Sequence, residues 1–124
     1  MGFMSSKSMN ENSIKMKRYC FALDLINDPE LISEYKRYHE QIWPEITKSI
    51  QSAGIENLDI YLVGNRLFMI MEVNDSFSFE KKSVMDLENS RVQDWENLMW
   101  KYQQALPWAR KDEKWILMDH IYQL

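Results

Sequence analysis

Side chains that could perform acid–base chemistry on a small polar ligand are concentrated in the segment YKRYHEQIWPEI, residues 35–46. Tyr35 and His39 are four residues apart, so a helix would place them side by side on one face. Imidazole titrates near neutral pH, and the negative end of a helix dipole favours its protonated form. The spacing therefore indicates that His39 could act as a general acid beside Tyr35.

The same stripe of the helix also has a purely structural interpretation. Leu31, Tyr38 and Ile42 share the face with Tyr35 and His39, and histidines and tyrosines in such stripes are usually core residues that bind backbone carbonyls. From the stripe alone, this second interpretation is the favoured one.

Other sites are weakly indicated. The chain has five tryptophans, and a flat apolar ring beside polar groups can bind the hydrophobic face of a sugar, although most of the five are expected in the core. His120, the only other histidine, alternates with Met118 and Tyr122 and is expected on a sheet face rather than at a metal. We therefore expect no metal site. The chain has three glycines, and they are not spaced as a phosphate-binding loop requires.

Composition narrows the class of protein. The 124 residues are 45% hydrophobic and carry a net charge of −4, which suits one domain with a single core and gives no basic surface for nucleic acid. A single cysteine, Cys20, suggests a reducing cytoplasm, and no apolar run is long enough to span a membrane. Residues 1–14 are expected to be a disordered leader, and residues 15–124 the domain.

The elements that would position these residues follow an order that can be read along the chain. A strand over Lys17–Leu25 is followed by a helix capped by Asp28, a second helical piece beginning at Pro44, and a hairpin that turns at Gly64-Asn65. Helices are predicted over residues 79–87 and 92–105, and a last strand over 114–124. The order βαββαβ predicts an α+β, ferredoxin-like fold with an antiparallel sheet.

The strands are apolar at nearly every position, as in LFMIM of residues 67–71. A sheet with one face in water would alternate, so both faces should be covered. Helices can cover only one face, which predicts a homodimer with its sheets packed together as a dimeric α/β barrel.

The quoted helix segment, with IYL in the second strand and VQDW before a helix, resembles the L-rhamnose mutarotase family over residues 18–124. GNRLFMIMEV is similar to a related branch that acts on L-fucose. The resemblance implies a dimeric ferredoxin-like enzyme without cofactor or metal that interconverts the α and β anomers of a 6-deoxy-L-sugar. The choice between L-rhamnose and L-fucose stays open.

The resemblance also implies roles for individual residues. His39 matches the proton-donating histidine, Tyr35 a substrate-binding tyrosine, and Trp95 the first of two tryptophans that contact the sugar. Glu96 stands where the second tryptophan is expected, and Leu58 where a tyrosine is expected. Tyr61, in the IYL motif, completes the candidate substrate-binding set.

Opening the pyranose at C1 requires a proton on the ring oxygen and the loss of one from the anomeric hydroxyl, which His39 and a second group could transfer. Candidates for that second group are Glu96, Asp119 and Glu72. Two alternatives remain at this point. One is a dimeric ferredoxin-like monooxygenase or haem-handling protein with His39 as axial ligand, and the other is a non-catalytic sugar-binding module.

Overall fold

An antiparallel sheet with helices packed on one face forms the framework of the computed structural model, which describes residues 16–124. The elements are β1 (Lys17–Leu25), α1 (Pro29–Glu40), α2 (Pro44–Ser52), β2 (Ile55–Val63), β3 (Arg66–Val73), α3 (Phe79–Glu88), α4 (Ser90–Trp100), β4 (Gln103–Gln104) and β5 (Ile116–Leu117). The strand order is β2-β3-β1-β4, and β5 also pairs with β1. The α+β class and the ferredoxin-like arrangement are confirmed. The predicted leader, residues 1–14, lies outside the described residues.

The helix that carries His39 begins and ends where the sequence predicts. The side chain of Asp28 accepts hydrogen bonds from the backbone N–H groups of Glu30, at 2.9 Å, and Leu31, at 3.1 Å, and Pro29 occupies the first helical position. Pro44 then begins α2. Two short helices therefore replace one long one, and the break over residues 41–43 begins one residue beyond His39's neighbour Glu40.

The β2–β3 hairpin positions the floor of the site. Gly64 takes a φ of +60°, a conformation that suits glycine at a two-residue turn. The turn is fixed to the end of β1, because the Asn65 side chain donates to the Leu25 carbonyl at 2.9 Å and the Leu25 N–H donates back to the Asn65 carbonyl at 2.7 Å. The register of the sheet is thereby fixed at this corner.

Two predicted boundaries are wrong at the C-terminal end of the chain. The helix predicted to reach Ala105 ends at Trp100, because Gln103 pairs with Leu25 of β1 instead. Tyr102 and Leu106 are buried, so the apolar spacing that suggested a longer helix is satisfied by residues outside it. The last strand predicted over 114–124 is reduced to Ile116–Leu117.

The two faces of the sheet differ. Side chains such as Leu23, Leu67 and Met71 face the helices and are buried. We call the opposite side the outer face; its members are Cys20, Ala22, Asp59, Tyr61, Val63, Phe68 and Ile70, with the polar and charged Arg18, Asp24, Asn57, Arg66 and Glu72. On β2 the burial alternates, so the expectation of a strand covered on both faces does not hold for β2 within one chain. None of the helices in residues 16–124 is long and apolar enough to cross a membrane.

Candidate active site

His39 lies in the last turn of α1, with one ring nitrogen bound and the other available. Its Nδ1 is 2.8 Å from the backbone carbonyl oxygen of Tyr35. A carbonyl can only accept, so Nδ1 carries the proton in this contact, and in the neutral ring Nε2 is an unprotonated acceptor. Nε2 makes no hydrogen bond to any of residues 16–124. The side chain therefore presents a lone pair rather than a proton.

The protonation of His39 differs from the sequence expectation. Burial lowers the pKa of the imidazole, and the hydrogen bond to the Tyr35 carbonyl opposes that shift only in part. The helix end was expected to favour imidazolium, whereas desolvation of the half-buried ring favours the neutral form. At neutral pH the ring is neutral, which suits a general base at the start of a reaction better than a general acid.

Tyr35 is fixed at both ends beside this histidine. Its side chain is 4% exposed, its ring centroid lies 4.4 Å from that of His39, and its hydroxyl oxygen accepts a hydrogen bond of 3.2 Å from Nε2 of Gln103. Burial raises the pKa of the Tyr35 hydroxyl to about 12, with a further contribution from the charge of Glu96. The phenol consequently stays protonated and can donate a hydrogen bond.

Aromatic rings surround His39 on the other side. The Trp95 ring lies 5.7 Å from the imidazole in an edge-on arrangement, and it also contacts Trp43 at 5.1 Å and Tyr38 at 6.2 Å. These tilted contacts are the geometry that aromatic pairs prefer. They fix the imidazole in place and provide flat apolar surface next to it.

These side chains meet at a cavity of about 170 Å³ between the sheet and the helices. Drug-sized ligands occupy pockets of roughly 300–1,000 Å³, so this cavity suits a smaller ligand, of the size of a monosaccharide. Its walls are mostly apolar, with a few polar groups, which is the usual composition of a ligand site. The lining includes Tyr35, His39, Leu58, Ile60, Met69, Lys82, Asp86, Trp95, Glu96, Gln103, Lys114 and Trp115.

Comparison with known proteins gives the family. The family model described as L-rhamnose mutarotase matches residues 18–124. The chain belongs to the L-rhamnose mutarotase family. Among curated relatives, an L-fucose mutarotase of Xanthomonas campestris is 41% identical over 113 residues, covering 90% of this chain and 90% of that protein. An L-rhamnose mutarotase of Oceanobacillus iheyensis is 28% identical over 106 residues, covering 84% and 92%.

The fold agrees with a solved member of the L-rhamnose mutarotase family. The crystal structure of an L-rhamnose mutarotase from Formosa agariphila superposes with a TM-score of 0.64, at 21% identity, over 87% of this chain and 98% of that one. At this identity the likeness establishes the fold alone.

Most of the residues predicted from the mutarotase resemblance come together. His39, Tyr35, Trp95, Glu96 and Leu58 all line the cavity. Tyr61 does not, because it belongs to the outer face and is 59% exposed.

Of the three candidates for a second proton-transfer group, the structure brings only Glu96 to the cavity. Glu72 lies outside it and binds Arg18 and Asn57. Asp119 is exposed near the C-terminus.

Several lining residues were missed by the sequence analysis. Lys114 donates to the Glu96 carboxylate at 3.1 Å and to the Glu96 backbone carbonyl at 3.3 Å. These bonds tie the C-terminal segment back to α4. Lys82 and Asp86, an ion pair one turn apart on α3, also reach the cavity. Gln103 was taken as part of a helix. Only a family motif that names these positions could have found them, because nothing in their local spacing distinguishes them from surface residues.

Proposed function

We propose that this protein interconverts the α and β anomers of a 6-deoxy-L-sugar by proton transfer at His39. The observation that supports it most is the unbound Nε2 of a neutral imidazole in the wall of a monosaccharide-sized cavity. Together with family membership over residues 18–124, this geometry favours a catalytic role for His39 over a structural one. A structural histidine would have both ring nitrogens bound within the fold.

The reaction requires one net proton transfer. Nε2 accepts the proton of the anomeric hydroxyl while the bond between C1 and the ring oxygen breaks, and the resulting imidazolium gives a proton to that ring oxygen. Both oxygens are bonded to C1, so one correctly placed imidazole reaches each of them. After rotation about the bond between C1 and C2, the reverse steps close the ring on the other face. General acid–base catalysis of this kind contributes roughly 10²–10⁴-fold, and no covalent intermediate is required.

Sugar binding would use the other walls of the cavity. Trp95, 8% exposed and held against Trp43, offers an apolar surface to the hydrophobic face of the ring. Glu96, held by Lys114, offers carboxylate oxygens to sugar hydroxyls. Leu58, on the sheet floor, suits a methyl group better than a hydroxyl. A 6-deoxy sugar has such a methyl group at C5.

L-fucose is the first candidate substrate and L-rhamnose the second. The curated L-fucose mutarotase is 41% identical to this chain and the L-rhamnose mutarotase 28%. The replacement of an expected tryptophan by Glu96, and of an expected tyrosine by Leu58, agrees with a change of preferred sugar within the family.

The two alternative functions have less support. A haem is at least as large as a drug-sized ligand, whereas the cavity holds about 170 Å³. A non-catalytic sugar-binding module would need the same walls but would not need a histidine with its acceptor nitrogen free beside the ligand.

We also propose that the protein forms a homodimer through the outer face. Tyr61 and Val63 on this face are 59% and 77% exposed, and the C-terminal residues Ile121 and Tyr122 are 90% and 73% exposed outside any strand. Tyr61 and Val63 are neighbours on one face of β2, and large apolar side chains exposed side by side usually mark an interface. In a symmetric dimer, the outer face of a second copy would cover these side chains, and its own would be covered in return.

The lone Cys20 is free in the structure. A free cysteine suits the reducing cytoplasm, which we propose as the location of the protein.

The test of the activity is saturation-transfer NMR on equilibrated L-fucose, L-rhamnose and L-galactose, the last being L-fucose with a hydroxyl at C6. We expect anomer exchange faster than in buffer alone, in the order L-fucose, L-rhamnose, L-galactose. Exchange of all three at the buffer rate, measured with folded protein, would refute the proposal.

A further inference from the structure

Gln103 is a buried polar residue of the cavity wall that the reaction described above does not use. Its side chain is 7% exposed and lines the cavity with His39. Its backbone is fixed in the sheet by pairing with Leu25, which is fully buried. The amide is consequently held on a rigid element rather than on a loop.

The nitrogen and the oxygen of the Gln103 side-chain amide differ in their hydrogen bonding. Nε2 donates to the hydroxyl oxygen of Tyr35 at 3.2 Å. Oε1 is the one buried side-chain polar atom without a hydrogen-bond partner among residues 16–124. Buried acceptors are nearly always satisfied, so an exception in a ligand cavity calls for an explanation.

Tyr35 has a complementary free group. Because its oxygen accepts from Gln103, its own proton is available to another acceptor, and no such acceptor is found for it in residues 16–124. An unused acceptor on Gln103 therefore lies next to an unused donor on Tyr35. A sugar hydroxyl donates one hydrogen bond and accepts others, so it matches both. The terminal torsion of glutamine is soft, and a small rotation turns Oε1 towards a ligand.

We propose that Gln103, paired with Tyr35, recognises one hydroxyl of the sugar and is thus a specificity-determining residue of this chain. This inference rests on the proposed function. A site that binds a hydroxyl through buried polar groups discriminates strongly against the analogue that lacks it, because the protein groups are then left unpaired. The pair would select a sugar by the position and orientation of that hydroxyl.

The experiment compares Gln103→Met with the wild-type protein on L-fucose and on its 2-, 3- and 4-deoxy analogues. Methionine keeps an unbranched side chain of similar length and removes both polar atoms. We expect kcat/KM on L-fucose to fall about tenfold, and the loss to vanish for one analogue only, the one that lacks the recognised hydroxyl. A merely structural role would lower kcat/KM by the same factor on every analogue, and that result would overturn the inference, as would no loss on L-fucose.

Two further variants separate a loss of sugar recognition from a general folding defect. Gln104→Met makes the same change at the next residue, which is exposed, and should leave every rate unchanged. Gln103→Glu removes the amide donor to Tyr35, and its carboxylate would accept the Tyr35 proton, so the folded variant should lose the discrimination between analogues as Gln103→Met does; discrimination kept by Gln103→Glu would contradict the inference. If the wild-type protein accelerates no sugar, the proposed function itself fails, and this inference with it. If it is active and Gln103→Met shows no dependence on the analogue, only the inference fails.

Discussion

His39 donates its Nδ1 proton to the backbone carbonyl of Tyr35, one helical turn earlier, at 2.8 Å. This contact determines the tautomer, and the tautomer determines the chemistry, because only Nε2 is left to face the cavity. The break between α1 and α2 at Pro44 leaves this last turn at the cavity rather than inside a continuous helix. Pro44 thus contributes to placing the Nε2 lone pair of His39 at the cavity.

The pH dependence of exchange distinguishes a base from an acid. Burial lowers the pKa of His39, so the neutral base persists at pH 7 and is lost only below the ordinary histidine value of roughly 6.5. We expect kcat/KM, corrected for buffer catalysis, to be level from pH 7 to 8 and to fall on the acid side below 6.5. The Tyr35 hydroxyl, with a pKa of about 12, should add no change below pH 9. A rate that rises as the pH falls through 6 would assign His39 the acid role instead.

The partly buried ion pair between Asp24 and Arg66 should contribute more to stability than the exposed pair between Arg18 and Glu72. The Asp24 side chain is 7% exposed and accepts two hydrogen bonds from Arg66, at 2.8 and 3.1 Å. Arg66→Met leaves this carboxylate buried without its partner, so we expect a larger loss in the free energy of unfolding than removal of an exposed arginine causes.

Arg18→Met is the matched control for that change. Arg18 pairs with Glu72 across the same two strands but is 66% exposed, so its removal should cost less than about 1 kcal/mol. Urea unfolding at pH 7 measures both. Equal losses for the two variants would show that burial of Asp24 does not decide the effect.

The homodimer can be tested at a residue that has no role within one chain. Val63 lies on the outer face and is 77% exposed, so Val63→Lys costs little in an isolated copy but places a charge in the proposed interface. We expect light scattering after size exclusion to show a dimer for the wild-type protein and a shift towards monomer for the variant. Leu87→Lys, at a leucine on α3 that is 72% exposed, should stay dimeric. A wild-type monomer, or equal behaviour of both variants, would contradict the proposed interface.

The parts of the fold that sequence predicted are those encoded by local chemistry. Asp28 and Pro29 are adjacent residues with fixed preferences for a helix start, and Gly64 is followed by Asn65 at a turn that only a few residues permit. The proximity of Tyr35 and His39 needed only the helical repeat. Each of these depends on residues a few positions apart, and each is confirmed.

The remainder depends on contacts distant in sequence. Gln103 leaves the helical pattern because Leu25, 78 positions earlier, offers a strand to pair with. Its junction with Tyr35 joins residues 68 apart. The pKa of His39 is lowered by the depth at which the whole fold buries it, which its place at a helix end does not reveal. No spacing rule contains these effects, which is why the helix end and the last strand were predicted wrongly and the direction of the His39 pKa shift was not foreseen.

The central claim is that His39 transfers the proton, and anomer exchange by His39→Ala measures this most directly. Saturation-transfer NMR on L-fucose should show the rate above buffer reduced at least about a hundredfold, with circular dichroism and the thermal unfolding midpoint showing a folded protein. His120→Ala, the same change at the other histidine, which is exposed outside the cavity, should retain the wild-type rate. An exchange rate for folded His39→Ala within twofold of the wild type would contradict the account.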